Sequence, residues 1–282
     1  MPARGRLAPT PTGLLHVGHA RTFARAAARG AGRGLVLRIE DLDSPRCREE
    51  WVLSCVRDLH WLGLDWSEGP DRGGPHGPYR QSKRTSLYLD IWRQLAQAGA
   101  IYPSPHSRRD VEEAALAPQQ SLPPEAESIF PPSLRPPAGR SSASEPGSVA
   151  WRFRVPDGRT LEFRDGEAGL VRRTAGEDFG DFVVWRRDQL AAYELAVVAD
   201  DHAMEIEEVV RGEDLLTSTA RQLLLYEALG WHPPAFCHLP LVRDPAGIRL
   251  AKRTAGLSIA ALRERGFSPR DVLEAPLESL WG

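Results

Sequence analysis

Two histidines three residues apart, His16 and His19, are the first groups in the chain placed to do chemistry. They stand in Pro9-Thr10-Pro11-Thr12-Gly13-Leu14-Leu15-His16-Val17-Gly18-His19. The stretch reads as a strand, Arg6-Leu7-Ala8-Pro9, that ends in a Pro/Thr/Gly turn and passes into a helix. Such a junction presents free backbone N–H groups and the positive end of the helix dipole, so it attracts anions. At this spacing both imidazoles fall on one side of the first helical turn, in position to donate hydrogen bonds to phosphate oxygens. Donors there matter most where charge builds up during a phosphoryl-type transfer. Gly18, having no side chain, lets a flat base or a ribose come close to the backbone. A metal pair is the weaker reading, because no third ligand stands nearby.

A second candidate comes from residue usage. Lys83 and Lys252 are the two lysines among 36 basic residues. Where this sequence needs positive charge it almost always writes Arg, so a lysine in Arg249-Leu250-Ala251-Lys252-Arg253 stands out. An ammonium acts on phosphate as a compact point charge, which a guanidinium fork does not reproduce.

Several elements must position these groups. A helix is expected from about His19 to Arg29, closed by Gly30 and Gly32, followed by an apolar strand from Leu35 to Ile39. Helical spacing recurs over 48–62 (Trp51, Cys55, Leu59, Leu62) and 83–98 (Leu87, Ile91, Leu95, Ala98). Strand, helix, strand, helix in this order predicts a parallel α/β sheet of nucleotide-binding type. Residues 118–148 turn to Pro, Ser and Gly and read as a loop. Strands are expected again at 150–155, 160–164 and 182–186. Helices follow near 193–199 and over 217–229, then a strand, a basic turn and a short helical tail.

Composition excludes some classes. A formal net charge of −2 with 26% charged residues describes an ordinary soluble protein, not one that coats nucleic acid through a basic surplus. Cys47, Cys55 and Cys237 are odd in number and lack CxxC spacing, which fits a reducing compartment. The start of the chain carries no apolar signal region, and no apolar run is long enough to cross a membrane. The expectation is a cytoplasmic protein with no membrane partner.

His16-Val17-Gly18-His19 resembles the HIGH signature of class I aminoacyl-tRNA synthetases. Arg6 through Gly13 resembles the extended form found in the glutamyl and glutaminyl branch. Arg38-Ile39-Glu40-Asp41-Leu42-Asp43 is similar to that branch's RIEDxD element, and Gly74-Pro75-His76-Gly77-Pro78-Tyr79-Arg80-Gln81-Ser82 to its GPYxQS element. Tyr193 to His202 and Val210 to Leu215 continue the match in order. Arg249–Arg253 stands where the KMSKS loop belongs, with Arg249 for the first lysine, Ala251 for the serine, and Lys252 retained.

The resemblance implies a Rossmann-like α/β fold of class I synthetase type with an inserted subdomain and a short C-terminal helical extension. Its halves would be 1–100 and 191–282, with 101–190 the acceptor-type insertion carrying loop 118–148. It implies ATP as substrate with Mg²⁺, contacted by His16, Gly18, His19, Arg249 and Lys252. His16, His19 and Lys252 would be catalytic. L-Glutamate would bind Arg6, Ala8, Thr10, Glu40, Tyr193 and Arg211: two cations for two carboxylates, an anion for the ammonium, and a hydroxyl donor. Which arginine takes which carboxylate stays open at this point.

About thirty residues follow Arg253, too few for an anticodon-binding domain. With the Phe182–Asp188 and Leu195–Val198 stretches, and Val197 where the longer enzymes commonly have Asn, the chain resembles the short glutamyl-Q branch. That branch activates glutamate without tRNA and transfers it to queuosine in the anticodon of tRNA(Asp). A monomer is expected. A truncated enzyme charging a tRNA 3′ end and a non-catalytic paralogue stay as alternatives. The branch often holds zinc through a CxC pair and Tyr-x-x-x-Cys. Here those positions read Ser104, His106, Phe130 and Leu134, so no zinc is expected.

Lys252→Ala is expected to lower glutamate-dependent ATP–pyrophosphate exchange by roughly a hundredfold or more. Unchanged exchange would remove Lys252 from the phosphate site.

Overall fold

The computed structural model describes residues 3–30, 34–42, 45–107, 110, 129–243 and 257–281. Asp43, residues 118–128, Arg249 and Lys252 lie outside them. The first unit is β1 (Gly5–Leu7), α1 (Val17–Gly30) and β2 (Leu35–Leu37), with the strands parallel and Arg6 opposite Val36. Both strands are buried throughout, as an apolar run covered on both faces requires. The last turn of α1 packs tightly here. A Cβ at Gly30 would stand 3.1 Å from Leu35 Cδ1, and one at Gly5 3.3 Å from the same atom.

A second unit of the same kind follows later in the chain. It comprises β8 (Glu208–Gly212), α5 (Leu216–Leu229) and β9 (Ala235–Leu239), with Arg211 opposite His238 in the parallel register. The backbone N–H groups of Glu207 and Glu208 donate to Arg4 O at 2.8 and 3.2 Å. That joins the units side by side in the order β2-β1-β8-β9, a Rossmann-like α/β arrangement. The short helices α6 (Ile259–Glu264), α7 (Pro269–Glu274) and α8 (Leu277–Leu280) send Leu262, Val272 and Leu280 into the same core as Leu7, Val17 and Leu37.

Between the units lie α2 (Glu49–Trp61), α3 (Thr85–Ala98), the antiparallel strands β3 (Ile101–Ser104), β4 (Ala150–Phe153) and β7 (Phe182–Trp185), the hairpin β5 (Thr160–Asp165) and β6 (Gly169–Thr174), and α4 (Tyr193–Ala203). The buried stripe of α3 is Tyr88, Ile91, Trp92, Leu95 and Ala96. The expected face is therefore rotated: Ala98 is exposed and Leu87 half-buried. Tyr88 and Trp92 turn it, because an aromatic ring buries more apolar area than the Leu and Ala it displaces. Strands β3, β6 and β8 were not marked by pattern. Pro103 interrupts β3, β6 sets Arg172 and Arg173 side by side, and β8 reads Glu208-Val209-Val210-Arg211-Gly212 without alternation.

The positions at which the resemblance would place zinc ligands come together. Tyr102, Phe130 and Leu134 form one cluster, and the His106 ring lies 6.2 Å from that of Phe130. Ser104 is buried, 3.3 Å from Arg152 Nε. Among the described residues no group of three or more His, Cys, Asp or Glu is placed to hold a metal. The side chains at these positions do not fit a zinc site.

Arginine and carboxylate do the fastening instead. Asp181, fully buried, accepts from Tyr102 Oη, from Arg135 Nε and Nη2 at 2.7 Å each, and from Val155 N at 2.9 Å. The Arg152 guanidinium sits 4.3 Å above the Phe130 ring, and that of Arg154 4.8 Å above Tyr102. These two arginines are packing elements rather than solvated surface. Asp181→Ala leaves Arg135 with a buried, half-compensated charge, so a loss of about 3–5 kcal/mol is expected in urea unfolding.

Candidate active site

The turn after β1, the start of α1, the strand continuing from β2, the N-terminal end of α4 and the C-terminal ends of β8 and β9 enclose one cavity of about 400 Å³. Arg6, Ala8, Thr10, His16, Gly18, His19, Glu40, Tyr193 and Arg211 all line it. Those are the nine described positions singled out from sequence. Cavities at the carboxyl ends of parallel strands are where such folds bind ligands.

At the mouth of α1 the two imidazoles lie together, ring centroids 3.8 Å apart. Gly18 N donates to His16 Nδ1 at 3.1 Å, and His16 N to His19 Nδ1 at 3.3 Å. With each Nδ1 accepting, the neutral rings carry their protons on Nε2 and present donors. Gly18 is required for this arrangement. A Cβ there would stand 3.0 Å from His16 Cε1 and push the ring aside.

The floor is a web of buried charge. Arg38 has no exposed surface. It donates to Asp201 Oδ1 at 2.6 Å and to Glu40 Oε1 at 3.0 Å, and its Nε is 3.7 Å from Asp200 Oδ2. Burial alone would weaken the charge, but Asp201, Glu40 and Asp200 hold its pKa well above the ordinary value. Asp200 is in turn bound by Gln81 Nε2 at 2.9 Å, Arg84 Nε at 2.6 Å and Tyr88 Oη at 2.9 Å. Asp41 takes Ser82 N and Oγ at 2.8 Å each. In the two motifs, residues 38–41 and 81–82 are thus ties between neighbouring segments. Asp200 and Asp201 carried a readable signal, an acidic doublet at the end of the apolar run Leu195–Ala199.

Glu40 faces the cavity with its pKa raised, because burial outweighs the pull of Arg38 and Arg6. Arg6 is buried too, its Nη1 donating to Val210 O at 3.0 Å and its Nε 3.6 Å from Asp201 Oδ1. Burial, with Arg38 and Arg211 nearby, lowers its pKa, and Asp201 partly offsets this. Tyr193 lines the cavity and is 37% exposed. Partial desolvation, reinforced by Glu40 and Glu194 against Arg211, pushes its phenol up to about 12, so it acts as a neutral donor.

Arg211 is held differently. Its Nε donates to His238 Nε2 at 3.1 Å, and its Nη2 to Thr219 Oγ1 at 2.6 Å and Gln222 Oε1 at 2.9 Å. Its Nη1 is buried and has no hydrogen-bond partner among the described residues. His238, Thr219 and Gln222 were not singled out from sequence, and no local spacing marks them.

Comparison with known proteins agrees with this architecture. Residues 2–277 match the family model for the catalytic domain of class I tRNA synthetases (E and Q). The glutamyl-Q tRNA(Asp) synthetases of Symbiobacterium thermophilum and Nitratidesulfovibrio vulgaris are each 46% identical over 274 residues, covering 95% of this chain and 84% and 83% of theirs. A crystal structure of a glutamate tRNA ligase from Elizabethkingia meningosepticum, in complex with its amino acid, superposes with a TM-score of 0.80 at 29% identity. It aligns with 97% of this chain, which spans about three-fifths (61%) of that one.

The contrast between the two arginines predicts unequal costs. Arg38→Met removes the cation shared by three buried carboxylates and leaves Glu40 without its hydrogen-bonded arginine, so it should cost about 3–5 kcal/mol. Arg211→Met removes a donor from neutral acceptors and should cost about 1–2 kcal/mol. Urea unfolding of both variants checks the order.

Proposed function

The chain belongs to the catalytic-domain family of the class I tRNA synthetases for glutamate and glutamine, and on that premise we propose that it forms glutamyl-adenylate without tRNA and passes the glutamate to queuosine in the anticodon of tRNA(Asp). The family is one of aminoacyl-tRNA-synthetase-like ligases, with ATP as the energy source. The finer assignment draws on the two glutamyl-Q relatives, matched over more than four-fifths of their length.

One observation carries the amino-acid half of the reading: a buried arginine, Arg211, with an unspent Nη1, in the same cavity as Arg6, Glu40 and Tyr193. A guanidinium whose charge no carboxylate neutralises, in a low-dielectric pocket, asks for an anion. Glutamate supplies two carboxylates for Arg6 and Arg211 and an ammonium for Glu40, and Tyr193 adds a hydroxyl donor. Ala8 and Thr10 line the same cavity.

In the reaction, an oxygen of the glutamate α-carboxylate attacks the α-phosphorus of ATP. The new O–P bond forms as the bond from that phosphorus to the bridging oxygen breaks, and pyrophosphate leaves with the electron pair. The protein's part is positioning and charge stabilisation. His16 and His19, with Nε2 donors at the N-terminal end of α1, suit the triphosphate, and Gly18 leaves room for the nucleoside. Arg249 and Lys252 complete the phosphate contacts in this reading, and Mg²⁺ accompanies the nucleotide. We take 1–100 and 191–282 as the halves of this catalytic domain and 101–190 as the insertion that meets RNA.

The test is ATP–pyrophosphate exchange with glutamate, with and without tRNA, using glutamine and aspartate as controls. Exchange with glutamate alone is expected, followed by transfer to periodate-oxidised tRNA(Asp), whose 3′ end is blocked. Exchange that needs tRNA, or transfer lost on oxidation, would favour charging of a 3′ end. No exchange at all would point to a non-catalytic paralogue.

A further inference from the structure

Arg211 is set apart from Arg38 by the chemistry of what holds it. Every partner of Arg38 is a carboxylate, whereas the hydrogen-bond acceptors of Arg211 are an imidazole, a hydroxyl, a carboxamide and the distant Leu215 carbonyl. Its orientation is thus set by neutral groups, and no carboxylate is spent on its charge. The central one is His238, its direct neighbour across the β8–β9 register.

His238 is itself held from outside the sheet. Its Nδ1 lies 2.6 Å from Asp165 Oδ2, and its backbone N donates to Asp165 Oδ1 at 3.0 Å. Two unprotonated acceptors would repel at that distance, so Nδ1 carries the proton. In the neutral ring Nε2 then offers its lone pair to Arg211 Nε–H. Asp165 is fixed as firmly. Its Oδ1 also accepts Glu167 N at 3.0 Å and Ala168 N at 2.9 Å across the β5–β6 turn, and Gly166 N donates to Phe236 O at 2.8 Å. Both side chains of the Asp165–His238 pair are fully buried.

We propose that Asp165 and His238 are positioning residues for glutamate recognition: the carboxylate locks the imidazole tautomer, and the imidazole aims Arg211 at a substrate carboxylate while leaving its charge unneutralised. A carboxylate in place of His238 would hold the guanidinium as well but would compete with the substrate for it. The hairpin β5–β6 thereby contributes to a pocket it does not line. This inference rests on the reading of Arg211 as a ligand of glutamate.

Protonation should break the device. An imidazolium would turn a donor toward Arg211 Nε–H and add a second cation beside it. The charged groups facing His238 are Asp165 from the hairpin turn, Arg211 from β8 and Arg6 from β1, with the Thr219 hydroxyl from α5. Burial and Arg211 lower the His238 pKa against the pull of Asp165. The ring therefore stays neutral until the pH falls below the ordinary histidine range. Glu40, whose pKa burial raises above the ordinary carboxylate value, contributes a separate limb that His238 variants retain.

Steady-state ATP–pyrophosphate exchange on the whole chain, with glutamate and ATP varied separately, tests this. His238→Ala should raise KM for glutamate roughly tenfold or more, the effect of unpairing one buried donor. KM for ATP should stay within about twofold, as suits a group remote from the phosphates. His238→Gln, whose amide oxygen can accept from Arg211, should recover most of the loss, and Asp165→Asn should fall between. His238→Gln should also lack part of the wild-type rise in glutamate KM at acid pH. Equal rises in both KM values, a fall in kcat at constant glutamate KM, or an acid limb unchanged in His238→Gln would each overturn the proposal. Arg211→Met separates the two layers. If it leaves glutamate KM unchanged, the ligand reading itself fails. If it raises KM while the His238 and Asp165 variants do not, positioning alone fails. Should His238→Ala not fold, His238→Gln and Asp165→Asn, both near-isosteric, carry the test.

Discussion

A guanidinium with no access to water has to be matched by anions, and at Arg38 that demand organises the centre of the molecule. Glu40 comes from the same strand continuation, and Asp200 and Asp201 come from α4. Burying the arginine without these carboxylates would cost several kcal/mol, so α4 has one place to dock. Docked there, it sets Tyr193 at its N-terminal end against the cavity. Asp200 extends the web to Gln81, Arg84 and Tyr88 at the start of α3. Segments distant in sequence are thereby tied to one charge.

Within that web the charges are divided by role. Arg38 is surrounded by carboxylates and is structural. Glu40 shares itself between Arg38 and the cavity, with burial raising its pKa. Arg211 is gripped by neutral groups and keeps a buried nitrogen unspent. For the proposed ligand, with two carboxylates and one amine, Arg211 is the cation that neutral acceptors orient without neutralising, while Arg6 stays 3.6 Å from Asp201. The same low-dielectric surroundings that make unpaired charge costly strengthen its attraction for a ligand.

The bias toward arginine has a structural counterpart in the antiparallel part of the chain. A planar guanidinium stacks on rings and binds carboxylates in two places at once, neither of which an ammonium does as well. Arg152 over Phe130, Arg154 over Tyr102, and Arg135 between Asp157 and Asp181 use those abilities. They converge around Tyr102 and Phe130, and four hydrogen bonds to one buried carboxylate, Asp181, fasten the segment.

Local pattern carried far in this protein. The boundaries of α1, α2 and α5 follow from helical spacing and from the glycines that close them, and the HxxH spacing with its intervening glycine already implied paired donors at a helix start. Arg6, Glu40, Tyr193 and Arg211 were legible through motif resemblance, and the fold places all four around one cavity. Strands without alternation were less legible: Pro103 interrupts β3, and neither Gly169-Leu170-Val171-Arg172-Arg173-Thr174 in β6 nor Glu208-Val209-Val210-Arg211-Gly212 in β8 alternates with a period of two. What kind of partner each arginine would find was not written locally at all. His238 lies 73 residues from Asp165 and 27 from Arg211, and the parallel register of β8 and β9 brings His238 and Arg211 together. Spacing along a chain reports forces between near neighbours. Whether a buried cation meets carboxylates, as Arg38 does, or neutral acceptors, as Arg211 does, is decided by the long-range packing that brings distant side chains into contact.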